Sequence, residues 1–266
     1  MIITIANQKG GVGKTTTTMN LGVALARSGK RVLLIDSDPQ ANLTSYLGIV
    51  PGSDEHRSIR TLDELYLAKR PPNSAADCQA FITRTGSGVD LIASEKALSG
   101  VEYYLFSRSD KEKVLASFLA NISASYDAIL IDTPPSLNLL TLNALCASDR
   151  VLIPVQPEFF SLEGIVKIRE SIEEIRTRWN AKLEVIGVLP TQVSPRRKLT
   201  QEVLQALRGE LSGLVFDSVI HENAAVTESS GHAQSVIEYD RSSKGAQDYL
   251  RAAAELVTRM ENVKNG

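Results

Sequence analysis

The sequence predicts a doubly wound α/β fold: a mostly parallel sheet of about seven or eight strands flanked by helices, forming one domain over residues 1–266. Two observations carry this. Apolar runs of strand length alternate with helical segments along the chain, and a glycine-rich turn joins the first such run to the first helix. The strand candidates are 2–6, 31–36, 89–93, 128–132, 150–155, 183–189 and 214–220. Most are continuously apolar rather than alternating, the pattern of parallel strands covered on both faces. The first helix shows its period in Leu21, Ala24 and Leu25, and Gly29 ends it as a C-terminal cap. Helical spacing is clearest over 111–123, 164–178, 200–211 and 244–260. Residues 49–88, rich in Pro, Ser, Asp and Arg, predict a surface excursion with one helix near 61–69 rather than a second domain.

Composition sets bounds that agree. The chain is 43% hydrophobic and 23% charged, which is ordinary for a globular protein. Its two cysteines, Cys78 and Cys146, form no C-x-x-C pair, so neither a disulfide framework nor a zinc or iron–sulfur site is indicated; both are expected to be buried. The N-terminus enters the first strand directly, without a basic leader, and no apolar run nears the roughly 20 residues of a spanning helix. A cytoplasmic protein without stable membrane insertion is expected. The net charge of −2 gives no global basic footprint, so any contact with DNA needs a local patch.

The most specific motif is Lys9-Gly10-Gly11-Val12-Gly13-Lys14-Thr15-Thr16. Glycines let successive backbone N–H groups converge on one anion, and the helix that begins there directs its positive end to the same point. Gly10, Gly11, Val12 and Gly13 would cradle phosphates through their backbone, with Thr16 just inside the helix. Lys14 would neutralise β- and γ-phosphate oxygens, and the Thr15 hydroxyl would ligate Mg²⁺. The general G-x-x-x-x-G-K-[ST] pattern wants a glycine at position 8; this chain has Gln8, and a second lysine, Lys9, precedes the glycine pair.

This K-G-G-x-G-K-T-T form resembles the deviant Walker A loop of the ParA/MinD family of P-loop ATPases. The resemblance implies an ATP- and Mg²⁺-dependent hydrolase in which Lys9 crosses a dimer interface to the nucleotide of the other subunit. Asp36-Ser37-Asp38-Pro39-Gln40 matches the family's D-x-D-P-Q switch I, implying that Asp38 positions the attacking water and Asp36 supports the Mg²⁺ environment. The two carboxylates are expected on opposite faces of the strand end, with different roles. Ile129-Leu130-Ile131-Asp132 followed by Thr133-Pro134-Pro135 reads as a Walker B strand and switch II, with Asp132 holding Mg²⁺. Lys9, Lys14 and Asp38 are thus the catalytic candidates, and Thr15, Asp36 and Asp132 the metal candidates. For adenine, Gln192 is the candidate for the base edge and His221 for its face, although many relatives have proline at the latter position. ATP rather than GTP rests on the resemblance, since no N-K-x-D motif is present.

Within the family, the cluster-binding branches require cysteines that this chain lacks, and the MinD-like branch ends in a membrane-targeting helix. Here Leu250, Ala253, Ala254 and Val257 make a small face, suited to docking on the protein body. The ParA/Soj-like branch resembles the chain over nearly its whole length. It implies that Arg196, Arg197, Lys198, Arg241 and Lys244 grip non-specific double-stranded DNA in an ATP-bound homodimer. It also implies a ParB-like or cargo-adaptor partner that stimulates hydrolysis, and association with the nucleoid. One departure stands out: Glu222, Ala225 and Ser229-Ser230 occupy a stretch where relatives carry arginines. With eight residues before Lys9, an operator-binding repressor with an N-terminal helix-turn-helix is not expected. The expected function is therefore DNA partitioning, the alternative a positioning ATPase working on a membrane or a protein assembly, and a metabolic P-loop ligase is ranked last.

Overall fold

A computed structural model describes residues 1–159 and 161–265. The chain runs from β1 (Ile2–Ile5) through the glycine loop into α1 (Lys14–Arg27), then β2 (Val32–Asp36) and the short α2 (Asn42–Tyr46). The excursion holds α3 (Leu62–Leu67) and α4 (Ala75–Gln79), one helix more than the sequence predicts, and ends in β3 (Thr83–Arg84) and β4 (Asp90–Ile92). There follow α5 (Leu98–Leu105), α6 (Val114–Leu119), β5 (Ala128–Asp132), α7 (Leu139–Ala147), β6 (Arg150–Val155), α8 (Ser161–Arg178) and β7 (Glu184–Pro190). The last stretch is helical: α9 (Lys198–Glu210), α10 (Ala224–Gly231), α11 (Val236–Tyr239) and α12 (Lys244–Asn265).

The strands form one seven-stranded sheet in the order β3-β4-β2-β5-β1-β6-β7, parallel throughout except for the β3–β4 pair. The continuous apolar runs are explained by two covered faces. In β2, Val32 and Leu34 enter the core under α1 and α12, while Leu33 and Ile35 enter the one under α3, α5 and α6; in β5, Ala128 and Leu130 part from Ile129 and Ile131 in the same way. A third core, on the far side of β6 and β7, takes Val151, Ile153 and Val188 together with Ile165, Ile168 and Ile172 of α8. Helix α1 lies so close to the sheet that a Cβ on Gly22 would sit 2.6 Å from Leu34 Cδ2. Cys78 is buried as expected, but Cys146 is only half-buried, and both are free thiols.

Two expectations are corrected. Residues 214–220 are not a regular strand; they form one isolated bridge to β7, Val188 with Val215, and a second bridge, Val193 with His221, lies just past the ends of both segments. Pairing holds where Phe216 N donates to Val188 O (2.8 Å) and Ile220 N to Pro190 O (2.8 Å). Between them the backbone turns to α12: Asp217 N and Ser218 N donate to the Glu255 carboxylate at 3.0 and 2.8 Å. Arg259 meanwhile donates to the carbonyls of Ile186, Gly213, Leu214 and Val215. The helix thus takes up backbone groups that a regular ladder would use. Burial pushes the Glu255 carboxyl up, but hydrogen bonds from Ser218, Asp217 and Arg259 outweigh it and hold the group below its ordinary range.

The second correction concerns the docked face of α12. It docks on α1 as expected, but through Ala246, Tyr249, Ala252, Ala253, Leu256 and Met260. Leu250 and Val257 are only partly buried and Ala254 is exposed. No helix among the described residues is long and apolar enough to cross a membrane.

Candidate functional site

The order in which strands are added reverses around β1, because β2 lies on one side of it and β6 on the other. In an open sheet this switch point, at the carboxyl ends of the strands, is where a ligand crevice forms. The register brings three chemically loaded strand ends together: Ile5 pairs with Asp132, and Asp132 with Asp36.

The glycine loop leaves β1 here. Gly11 (φ 77°) and Gly13 (φ 84°) lie in the left-handed region, which only glycine enters without strain. They turn the chain so that α1 starts at Lys14 with its first N–H groups facing the crevice. The loop is tied on every side. Asn7 Nδ2 donates to Pro154 O (2.8 Å), and its Oδ1 accepts from Lys9 N (3.0 Å). Thr191 Oγ1 donates to Val12 O (2.8 Å) and Gln192 Nε2 to Gly11 O (2.5 Å). Gly10 meets switch II, a Cβ there lying 3.9 Å from Pro135 Cβ.

Lys14 folds back over the loop, its Nζ 3.2 Å from Lys9 O, and is mostly buried. Burial lowers its pKa, against the attraction of Asp132 and Asp38. Asp132 is fully buried; burial and the neighbouring charge of Asp36 push its carboxyl well up, with Asp38 adding to the push, while Thr15 and Lys14 act against it. Its Oδ1 lies 3.5 Å from Thr18 Oγ1, and its Oδ2 is buried without a partner. Asp36 is raised to about 6, chiefly by burial, although Thr44 donates to its Oδ2 from both N (2.8 Å) and Oγ1 (2.7 Å).

The expectation that Asp36 and Asp38 point apart is corrected. Residues i and i+2 share a face of a strand, β2 ends at Asp36, and both carboxylates act on Asp132. Their roles still differ: Asp36 binds its own loop, through Thr44 and Asp38 N (3.2 Å), whereas Asp38 keeps its side chain at the crevice and, among the described residues, accepts only from Gln40 N (2.9 Å). Ser94 Oγ, at the end of β4, holds this turn by donating to Asp38 O (2.8 Å).

Three acidic groups with one lysine, and one carboxylate oxygen without a partner, leave this corner short of positive charge. The donors there, Thr15 and the aspartates, are hard oxygen atoms suited to Mg²⁺, which shares its shell among one or two carboxylates, phosphate oxygens and water. No group of three or more His, Cys, Asp or Glu side chains placed to hold a metal by themselves is found among the described residues.

Beyond the loop lies a cavity of about 500 Å³, lined by Gly13, Thr16, Gln192, His221, Asn223 and Tyr249 among others. Both base-contact candidates are therefore on its wall. Gln192 sits at φ 51° with its amide turned back on Gly11. His221 presents its ring with Nδ1 2.7 Å from Oδ2 of the fully buried Asp248.

Lys9 is half-exposed, and its Nζ pairs with Glu158 of its own chain. The basic candidates Arg196, Arg197, Lys198, Arg241 and Lys244 are all exposed. Arg197 faces Glu222 at 3.6 Å and Lys198 faces Glu202 at 3.5 Å. Sequence reasoning missed Thr18, Thr44, Ser94, Glu158 and Asp248. Only Thr18 carried a usable signal, since it stands one helical turn after Lys14.

The AAA domain family (AAA_31) matches residues 1–185. Chromosome partitioning protein ParA of Caulobacter vibrioides is 41% identical over 260 residues, covering 97% of this chain and 94% of that one. The chain belongs to the ParA/Soj family of P-loop ATPases. Sporulation initiation inhibitor protein Soj of Bacillus subtilis is 39% identical over 96% of this chain and 97% of its own. Among solved structures, cobyrinic acid a,c-diamide synthase from Mycobacterium smegmatis, with bound ATP analogue and magnesium, superposes with a TM-score of 0.81 at 32% identity, covering 98% of this chain and 95% of that one.

Proposed function

We propose that the protein is a DNA-partitioning ATPase that cycles between a monomer and an ATP-bound dimer. The observation that carries this reading is the convergence of the Lys9–Lys14 loop, Asp38 and the unpartnered Asp132 oxygen at one switch point. Backbone N–H groups of residues 10–13 and the start of α1 bind the phosphates. Lys14 stabilises the charge that develops on the transferring phosphoryl group. Asp38 orients the attacking water, while Asp36 holds the switch I turn through Thr44. Thr15 and Asp132 would hold Mg²⁺, which would supply positive charge to offset that of the phosphates.

Lys9 gives up Glu158 and reaches the nucleotide of the second protomer, so dimerisation requires a nucleotide on both sides. Exposed Arg196, Arg197, Lys198, Arg241 and Lys244, doubled in the dimer, bind duplex DNA through its phosphates without reading sequence. Glu222 opposes Arg197, which makes this patch a weak one in the monomer. A partner protein of the ParB or cargo-adaptor kind stimulates hydrolysis and releases the complex.

The test is duplex DNA binding by Asp38→Ala with ATP and with ADP over a salt series. Binding with ATP only, weakening steeply as salt rises, is the expected outcome. ATP-dependent dimers that ignore DNA would overturn the DNA part of the reading and leave the ATPase part standing.

A further inference from the structure

The wall of the 500 Å³ cavity contains a polar relay whose members come from two distant segments. Asp248 is fully buried on α12 and receives three donors: His221 N at 3.0 Å, His221 Nδ1 at 2.7 Å, and the Arg251 guanidinium. A carboxylate so surrounded has only acceptor atoms to offer, so Nδ1 of His221 carries the hydrogen. In the uncharged form of the ring the other nitrogen is a lone-pair acceptor. That nitrogen, Nε2, makes no hydrogen bond among the described residues and is not among the buried unpartnered atoms. The side chain is 19% exposed and its residue lines the cavity, which leaves that atom accessible.

We propose that His221 is the base-specificity residue of this protein, and that Asp248, backed by Arg251, is its positioning residue. Fixed as an acceptor, Nε2 takes a hydrogen from the exocyclic amino group of adenine. A 6-oxo purine would turn a carbonyl oxygen toward the same lone pair, leaving both without a donor. The inference rests on the nucleotide-binding reading of the cleft. It assigns the ring an edge-on hydrogen bond in place of the stacking expected from the sequence.

The test compares Mg²⁺–ADP with Mg²⁺–IDP, which differ at the 6-position and are not consumed, by calorimetric titration of the full chain. Wild type is expected to prefer ADP by about tenfold or more. His221→Phe, which keeps an aromatic ring but no acceptor, should weaken ADP by roughly three- to tenfold and bring the two nucleotides within about twofold. Asp248→Asn, checked for folding by its thermal transition, should also narrow the ratio, which a purely structural role would not do. An unchanged ADP-to-IDP ratio in His221→Phe overturns the proposal even if ADP binds well. Absence of binding by wild type to either nucleotide would instead overturn the nucleotide reading itself.

Discussion

At the loop end of the cleft, the groups come from eight consecutive residues, 9–16, with two strand ends in register beside them. At the far end, Gln192, His221 and Asp248 come from three separate segments, and each is set by a tertiary partner. The first is a backbone device: glycines at φ 77° and 84° aim N–H groups, and any triphosphate would satisfy it. The second is a side-chain device able to distinguish one base from another. Contiguous, backbone-based chemistry reads directly from a sequence, whereas chemistry assembled across the fold does not.

The largest expected effect breaks the loop end alone. Lys14→Ala removes its buried cation and should cost about 100-fold or more in ATP affinity, with hydrolysis lost, by titration and phosphate release. Folding should survive, since the buried Asp132 is already pushed toward its neutral form. Next, Asp38→Ala should lower turnover by about 10²- to 10³-fold with ATP affinity within a few-fold. Turnover at the wild-type rate would remove Asp38 from the mechanism. Lys9→Ala should bind nucleotide yet stay monomeric in light scattering with ATP; ATP-induced dimers of this variant would refute the crossing lysine.

A smaller effect sharpens the contrast through pH. The folded Asp36 carboxyl is raised from 3.8 to about 6, and Asp132 is raised with it. A raised acid stabilises the fold below its unfolded value, and that stabilisation is lost as pH rises through the folded one. The nucleotide-free protein should therefore melt about 3–6 °C higher near pH 5 than near pH 7.5 on account of these groups. Asp36→Asn should flatten that dependence. Mg²⁺–nucleotide should flatten it too, by supplying the missing cation, whereas a far-end substitution such as His221→Phe should leave it alone. The smallest effect cuts the tie between the two ends. Thr191→Val loses the 2.8 Å bond to Val12 O and should weaken nucleotide binding by roughly two- to fivefold.

Much of the fold was legible because parallel strands with two covered faces leave long apolar runs. The positions of β1, β2, β5 and β6 follow from Ile3, Leu33, Ile129 and Leu152 and their neighbours. Residues 214–220 have the same composition, yet the backbone groups of Asp217, Ser218 and Val215 O bond to Glu255 and Arg259, a choice made by a helix some forty residues away. The two-residue β3 and the helix α4 were too short for any period to register. In the site, Lys9 and Lys14 were legible, but Glu158, which holds Lys9 in the isolated chain, lies 149 residues further on. Asp248 reads in the sequence as an ordinary helix-surface aspartate; only the fold buries it behind His221.

The Glu255 and Arg259 contacts also bear on how these molecules can associate. An unpaired sheet margin is adhesive, and under the proposed cycle of ATP-dependent dimers a second, permanent way of joining would defeat the switch. By occupying the margin beside β7 with an ionic clamp, α12 makes recruitment of a foreign strand unfavourable, so self-association is left to faces that a nucleotide can govern. Shortening the chain before Glu255 would then convert a reversible switch into a protein that sticks to itself.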